Sequence, residues 1–91
     1  MRCEPLEPGE IVRSLAGRDQ NRAFVVFRIL DADYVLLVDG RLRTLDRPKK
    51  KKRKHLKKVP CEARLELHER LLDADVRRFL AAAGDQNDRN E

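Results

Sequence analysis

The chemically richest part of this sequence is the stretch from residue 49 to residue 58, which we call the basic run. It holds eight Lys or Arg side chains, no acidic side chain, and every lysine of the chain. Lysines are compact charges on flexible stems, and each phosphate that they neutralise on a nucleic acid releases condensed counterions. A charge needed only for solubility would be scattered and mixed in sign. The run repels itself, so we expect it to be extended or disordered without a bound polyanion.

Length and charge limit the remaining functions. A chain of 91 residues has room for one domain and little space for a substrate cavity. Its net charge is +5, although residues 1–48 are neutral overall and residues 59–91 are net acidic. No segment approaches the ~20 apolar residues of a membrane span, and the first residues lack the apolar core of a signal peptide. We therefore expect a cytoplasmic monomer with no membrane association and no small-molecule substrate.

Residues suited to catalysis or metal binding do not form a recognisable motif. The sequence has no phosphate-binding loop and no nucleophile elbow. Cys3, Cys61, His55 and His68 are its only cysteines and histidines, and none are spaced as a paired chelate. We expect reduced thiols, no metal, no cofactor and no enzymatic activity, with His68 on the surface.

Three apolar segments predict the strands that must position the basic run. They are Glu10–Leu15, Phe24–Leu30 and Tyr34–Val38. The loop between the first two is polar, and Gly17 and Asn21 are its residues best able to adopt positive φ.

A hairpin is predicted after the third strand. Asp39-Gly40 between apolar segments is typical of a type I′ turn. Leu42 and Leu45 then mark a returning strand, which Pro48 ends.

The two central strands are apolar on both faces. Alternation predicts one face without charge, formed by Val25, Phe27 and Ile29 on one strand and Tyr34, Leu36 and Val38 on the next. The opposite faces are also apolar and are interrupted by Arg28 and Asp39. We therefore expect cover on both sides, one of them supplied by a barrel interior.

The C-terminal third is predicted to supply the second cover. Apolar residues recur there at helical spacing: Leu65, Leu72, Val76, Phe79, Leu80 and Ala83. This predicts one bent helix or two short helices within residues 61–84, with Asp73 or Asp75 capping a second helix and Gly84 ending it. Residues 85–91 are predicted to be disordered.

Four blocks of the sequence resemble a known family. They are Ile11–Asp19 (IVRSLAGRD), Phe24–Val26 (FVV), Tyr34–Arg43 (YVLLVDGRLR) and Pro48–Leu56 (PKKKKRKHL). Their order and spacing are similar to those of the small bacterial KOW-domain RNA-binding proteins, which are in turn similar to certain archaeal and eukaryotic large-subunit ribosomal proteins.

The resemblance implies a mainly β fold, namely an SH3-like (KOW) small β-barrel followed by a C-terminal helical segment. The barrel would span residues 1–60 and include a basic segment at 48–58. The implied function is binding to structured RNA, in particular ribosomal RNA on the ribosome. The KOW pattern has glycine at or near Asn21; asparagine also accepts left-handed geometry, but its side chain keeps an RNA backbone further away.

The candidate RNA-binding residues divide into two chemical kinds. Lysines would give sequence-independent affinity for phosphates, and arginines would fix orientation through bidentate contacts. The candidates are Arg13, Arg18, Arg22, Arg41, Arg43, Lys49, Lys50, Lys51, Lys52, Arg53, Lys54, His55, Lys57 and Lys58. The three phenylalanines lie in apolar patterns typical of a core, which leaves at most Tyr34 as a stacking platform, so recognition by shape and phosphate is favoured over base reading.

Two other functions fit parts of the sequence. Pro48–Lys54 also has the composition of a nuclear import signal. An SH3-like barrel can instead be a protein-interaction adaptor, although grooves for peptides need several exposed aromatic residues.

Overall fold

A computed structural model describes residues 5–60 and 63–83 of the chain. Five strands form one antiparallel sheet: β1 (Ile11–Ser14), β2 (Ala23–Ile29), β3 (Tyr34–Val38), β4 (Lys49–Lys52) and β5 (Leu56–Lys58). A helix, α1 (Asp73–Ala82), follows them. The order across the sheet is β4-β3-β2-β1-β5, so within the described residues β4 and β5 are the outer strands and the sheet is open. The prediction of a mainly β fold is confirmed.

Several sequence predictions concern parts of the chain that the structure does not describe. Cys3, Cys61, Gly84 and the tail at 85–91 lie outside the described residues.

The three central strands, β1 to β3, have buried residues on both faces of the sheet. On the face that we call the inner face, Val12, Phe24 and Leu37 belong to a buried cluster with Leu6, Val26 and Val35. On the opposite face, which we call the helix face, Ile11, Val25 and Val38 pack against Val76 and Leu80 of α1. The helix therefore supplies the second cover that the apolar strands required.

A register shift in β2 changes which residues share a face. Val26 pairs with Leu37, but Arg28 pairs with Leu36, so one extra residue is accommodated between them. Such a bulge reverses the alternation beyond it. Ile29 consequently packs with the inner cluster, whereas Phe27 stays on the helix face with Val25, as alternation predicts. The prediction that Ile29 shares a face with Val25 is wrong for this reason.

The predicted returning strand at Leu42 and Leu45 is also wrong. Leu42 is exposed, and residues 41–48 form turns before β4 begins at Lys49. The backbone N–H groups of Asp39 and Gly40 both donate to the carbonyl of Arg43, which closes a loop before the chain can pair with β3. Gly40 has φ +79°, but among the described residues Asn21 is the only non-glycine residue with positive φ. Asp39 therefore lacks the positive φ that a type I′ turn requires at both central positions, and the Asp39-Gly40 turn is not of this type.

Only part of the predicted C-terminal helical region is helical. Residues 63–72 form no helix, because the N–H of Leu65 donates to Gly9 and the chain turns at His68–Leu71. The helix begins after Leu72, whose N–H donates to the Asp75 carboxylate at 3.0 Å. Within the described residues one short helix, Asp73–Ala82, is therefore present, in place of either the single bent helix or the helix pair that was predicted. Leu72 is 62% exposed, so its prediction as core cover is wrong, whereas Leu65, Val76 and Phe79 do pack on the sheet.

Candidate nucleic-acid interface

The basic run is extended and folded into the sheet. Its first four residues are β4, residues 53–55 form a 3-10 turn, and its last three residues are β5. Since β4 pairs with β3 and β5 pairs with β1, both ends of the run are fixed by backbone hydrogen bonds to the core strands. The two ends of the run are therefore extended by strand pairing, whereas the prediction of an extended or disordered run rested on charge repulsion.

Alternate lysines of β4 lie on opposite faces of the sheet. Lys49 and Lys51 pair with Leu37 and Val35, which belong to the inner face. The Lys49 ammonium lies 2.9 Å from the Asp19 carboxylate, and the Lys51 ammonium donates to the carbonyl of Ala16 at 3.1 Å. Both half-buried lysines therefore hold the β1–β2 loop, rather than being directed into solvent.

Asp19 is electrostatically matched to this position. Burial alone would raise its pKa, but the hydrogen bond and charge of Lys49, with the charges of Lys51 and Arg43, lower the pKa of Asp19 below its ordinary value of 3.8. The carboxylate is thus held ionised, and it neutralises part of the charge of the basic run.

The 3-10 turn is fixed by backbone hydrogen bonds, and the Lys54 side chain on it is exposed to solvent. The N–H of Arg53 donates to the carbonyl of Asp33 at 2.8 Å, and the carbonyl of His55 accepts from Leu15 at 2.8 Å. Arg53 and His55 are half-buried, whereas Lys54 is exposed. The turn therefore presents Lys54 at a defined place.

In β5 the side chains divide in the same way. Leu56 packs against the inner cluster, and the Lys58 ammonium lies 3.1 Å from the Glu10 carboxylate. Lys57, between them, is exposed on the opposite face.

The predicted arginines gather around two loops. Arg22 donates to the buried Asp39 carboxylate at 3.2 Å, and an Arg13 guanidinium nitrogen donates to the carbonyl of Asn21 at 2.5 Å. The backbone N–H groups of Arg41 and Arg43 both donate to Asp39, each at 2.9 Å. One carboxylate thus brings the β1–β2 loop and the β3–β4 loop together.

Two positive-φ residues shape the β1–β2 loop as the sequence predicted. Gly17 has φ +79° and Asn21 has φ +71°, so asparagine does take the left-handed position. Arg18 lies exposed on the short 3-10 turn that Gly17 begins.

The structure therefore divides the predicted site residues by exposure. The exposed members are Arg18, Arg41, Lys50, Lys52, Lys54 and Lys57. The half-buried members are Arg13, Arg22, Arg43, Lys49, Lys51, Arg53, His55 and Lys58. The first group lies at the surface, and several of the second hold the loops and strands that carry the first.

Arg28 was missed by the sequence analysis. It is exposed in β2, with its guanidinium carbon 5.8 Å from the centre of the Phe27 ring. The pattern presented it as an interruption of an apolar face, whereas the register places it opposite Leu36, which is opposite Lys50. Arg28, Leu36 and Lys50 thus lie side by side across β2, β3 and β4, and only the position of the bulge and the pairing of β4 reveal this arrangement.

Across residues 5–60 and 63–83, no group of three or more His, Cys, Asp or Glu side chains is arranged to hold a metal ion. Over the same residues no helix has both the length and the apolar character that crossing a bilayer requires.

No protein-family model matches this chain, and no curated protein is significantly similar to it.

Proposed function

We propose that this chain is a non-enzymatic RNA-binding protein of the KOW type, which binds structured ribosomal RNA through phosphate contacts in the cytoplasm. The observation that carries the proposal is the exposure of Lys52, Lys54 and Lys57 along one short, backbone-fixed segment. Three cations held by folded strands and a turn lose less conformational freedom on binding than the same lysines on a loose chain would. The arrangement suits the fixed phosphates of a folded RNA.

The neighbouring paired lysines support the same function. Lys49 and Lys58 form ion pairs with Asp19 and Glu10, so they fasten the segment to the domain at both ends. The lysines that position the segment are therefore neutralised by carboxylates of the same domain, whereas the exposed lysines point towards solvent.

An SH3-like barrel of the KOW type is part of the proposal. The strand order supports it, because β5 returns beside β1 after four strands that follow one another across the sheet. The β1–β2 loop also reaches the inner-face lysines of β4, which lie three strands away from β1. A strongly coiled sheet brings such distant parts together. The left-handed Asn21 supports the resemblance at the position where the KOW pattern has glycine.

The two alternative functions have less support. An import signal is bound as an accessible linear segment, but Lys49–Lys52 is hydrogen-bonded to β3 as a strand. An adaptor for proline-rich peptides needs several exposed aromatic residues, and here Phe24 is buried while Phe27 and Phe79 pack with the helix-face cluster.

Crosslinking in cells followed by sequencing of the attached RNA tests the proposal. We expect a dominant ribosomal RNA signal at a few structured positions, and a large loss of that signal in the double variant Lys54→Gln, Lys57→Gln. The charge-matched control is Arg70→Gln, Arg78→Gln, which removes two exposed cations from the C-terminal segment. An even distribution over all cellular RNA, or recovery of protein partners that survives nuclease and high salt, would overturn the proposal.

A further inference from the structure

One end of the helix face carries an aromatic ring surrounded by cations. Tyr34 and Leu36 lie on this face of β3, since they alternate with Leu37 of the inner face. Leu36 lies between Arg28 of β2 and Lys50 of β4, and Tyr34 pairs with Lys52. We call these five residues the Tyr34 patch.

The side chains of the Tyr34 patch combine partial burial with exposed charge. Tyr34 and Leu36 are half-buried, whereas Arg28, Lys50 and Lys52 are exposed. Paired residues on neighbouring strands lie about 5 Å apart and diagonal neighbours about 7–8 Å apart. The three cations, from β2 and β4, therefore flank the small apolar and aromatic surface of β3 on both sides.

We propose that the Tyr34 patch binds one unpaired nucleotide of the RNA, with its base stacked on the Tyr34 ring and its flanking phosphates bound by Lys50, Lys52 and Arg28. This inference rests on the proposed function and adds to it a recognition element for unpaired nucleotides. Bases stack on aromatic side chains whatever their identity, since every base has a π face. The site would select an unpaired base rather than a sequence.

The Lys50 ammonium now occupies the place that a base would take. It lies over the Tyr34 ring at 4.6 Å from the ring centre. A cation–π contact at an exposed position is weak, whereas stacking of a nucleobase on a ring is stronger. The Lys50 side chain is long and exposed, so it can leave the ring and bind the adjacent phosphate. Its ammonium then contacts the Tyr34 ring in the free protein and a phosphate in the complex.

An Asx turn fixes Tyr34 relative to the strand. One Asp31 carboxylate oxygen accepts from the N–H groups of Asp33 and Tyr34, both at 2.8 Å. These backbone hydrogen bonds and, more weakly, the charge of Lys50 lower the pKa of Asp31. The Asp31 carboxylate is therefore engaged with the backbone donors of this turn.

The protein contains its own spectroscopic probe for this site. Tyr34 is the only tyrosine of the chain, and there is no tryptophan. The ring protons of Tyr34 can therefore be followed by NMR without ambiguity. The RNA probes are a hairpin with one bulged uridine and the same hairpin fully paired.

We expect the bulged hairpin to bind about tenfold more tightly than the paired one, and to move the Tyr34 ring signals upfield as a base stacks. Tyr34→Leu should abolish that preference while leaving affinity for the paired hairpin unchanged. Tyr34→Phe, which keeps the ring, should retain the preference and shows that the position tolerates substitution.

Three outcomes would overturn the inference. Equal affinity for the two hairpins, unmoved Tyr34 signals, or a preference that survives in Tyr34→Leu would each exclude stacking at this site while leaving phosphate binding intact. Failure of the wild-type protein to bind either hairpin would overturn the proposed function itself, and the inference with it.

Discussion

Arg22 and Asp39 form an ion pair at 3.2 Å that joins the β1–β2 loop to the loop after β3. The Asp39 side chain is fully buried, and it also accepts the backbone N–H groups of Arg41 and Arg43. Arg22, one of the predicted RNA contacts, thus has a structural partner inside the protein. The pair positions two arginine-bearing loops at the same end of the sheet.

Replacing Asp39 should destabilise the protein strongly. Asp39→Ala removes the acceptor of the three hydrogen bonds described above and the carboxylate partner of a half-buried guanidinium, so we expect the free energy of unfolding to fall by about 3 kcal/mol. Urea denaturation measures this loss. The control Asp46→Ala, at an exposed carboxylate in the same loop, should cost less than about 0.5 kcal/mol. Equal losses in the two variants would show that Asp39 does not organise the loops.

Two glycines with the same backbone geometry offer a second test. Gly17 and Gly40 both have φ +79°. A methyl group at Gly40 would lie 2.5 Å from the carbonyl oxygen of Asp73, but at Gly17 it would meet only the Lys51 ammonium, at 3.5 Å. We expect Gly17→Ala to lower the free energy of unfolding by about 1 kcal/mol through backbone strain. We expect Gly40→Ala to lower it by about 3 kcal/mol, because α1 must also move.

Thermal or urea unfolding of the two alanine variants provides the comparison. A Gly40→Ala cost no larger than that of Gly17→Ala would contradict the close packing of the β3–β4 loop on the start of α1.

The ion pair between Asp19 and Lys49 should make the stability of the protein depend on pH in the acidic range. A carboxyl whose pKa is lowered by folding stabilises the folded state above its ordinary value of 3.8, and this contribution disappears as the pH falls through the lower folded value. At neutral pH we expect Asp19→Asn to be less stable than wild type by about 1 kcal/mol.

The difference in the free energy of unfolding between wild type and Asp19→Asn should become smaller as the pH falls below about 3.8. Denaturation at several pH values from neutral to acid measures it. A difference that stays constant down to the most acidic pH would mean that Asp19 stabilises the loop without its charge.

The strands of the core follow closely from the sequence. Tyr34–Val38 is β3 as predicted, because a run of β-branched and aromatic residues has few other ways to be buried. Asn21 takes positive φ because asparagine tolerates this geometry better than most residues. In both cases the local chemistry determines the structure.

The strand β4 depends on distant parts of the chain. Four consecutive lysines have no apolar alternation, yet backbone hydrogen bonds to β3 do not depend on side-chain polarity, and lysine suits an outer strand. Asp19, which neutralises Lys49, is thirty positions away in the sequence. The bulge that reverses Ile29 and directs Arg28 outward likewise appears only when β2 is paired with β3.

Salt dependence of binding tests the central claim, namely that exposed lysines of the basic run bind RNA phosphates. Fluorescence anisotropy with a labelled RNA hairpin at several salt concentrations gives the slope of log affinity against log salt. We expect Lys54→Gln, Lys57→Gln to lower the magnitude of this slope by about two units, and the charge-matched Arg70→Gln, Arg78→Gln to lower it far less. An unchanged slope in the lysine variant, or an equal decrease in the control, would contradict the account.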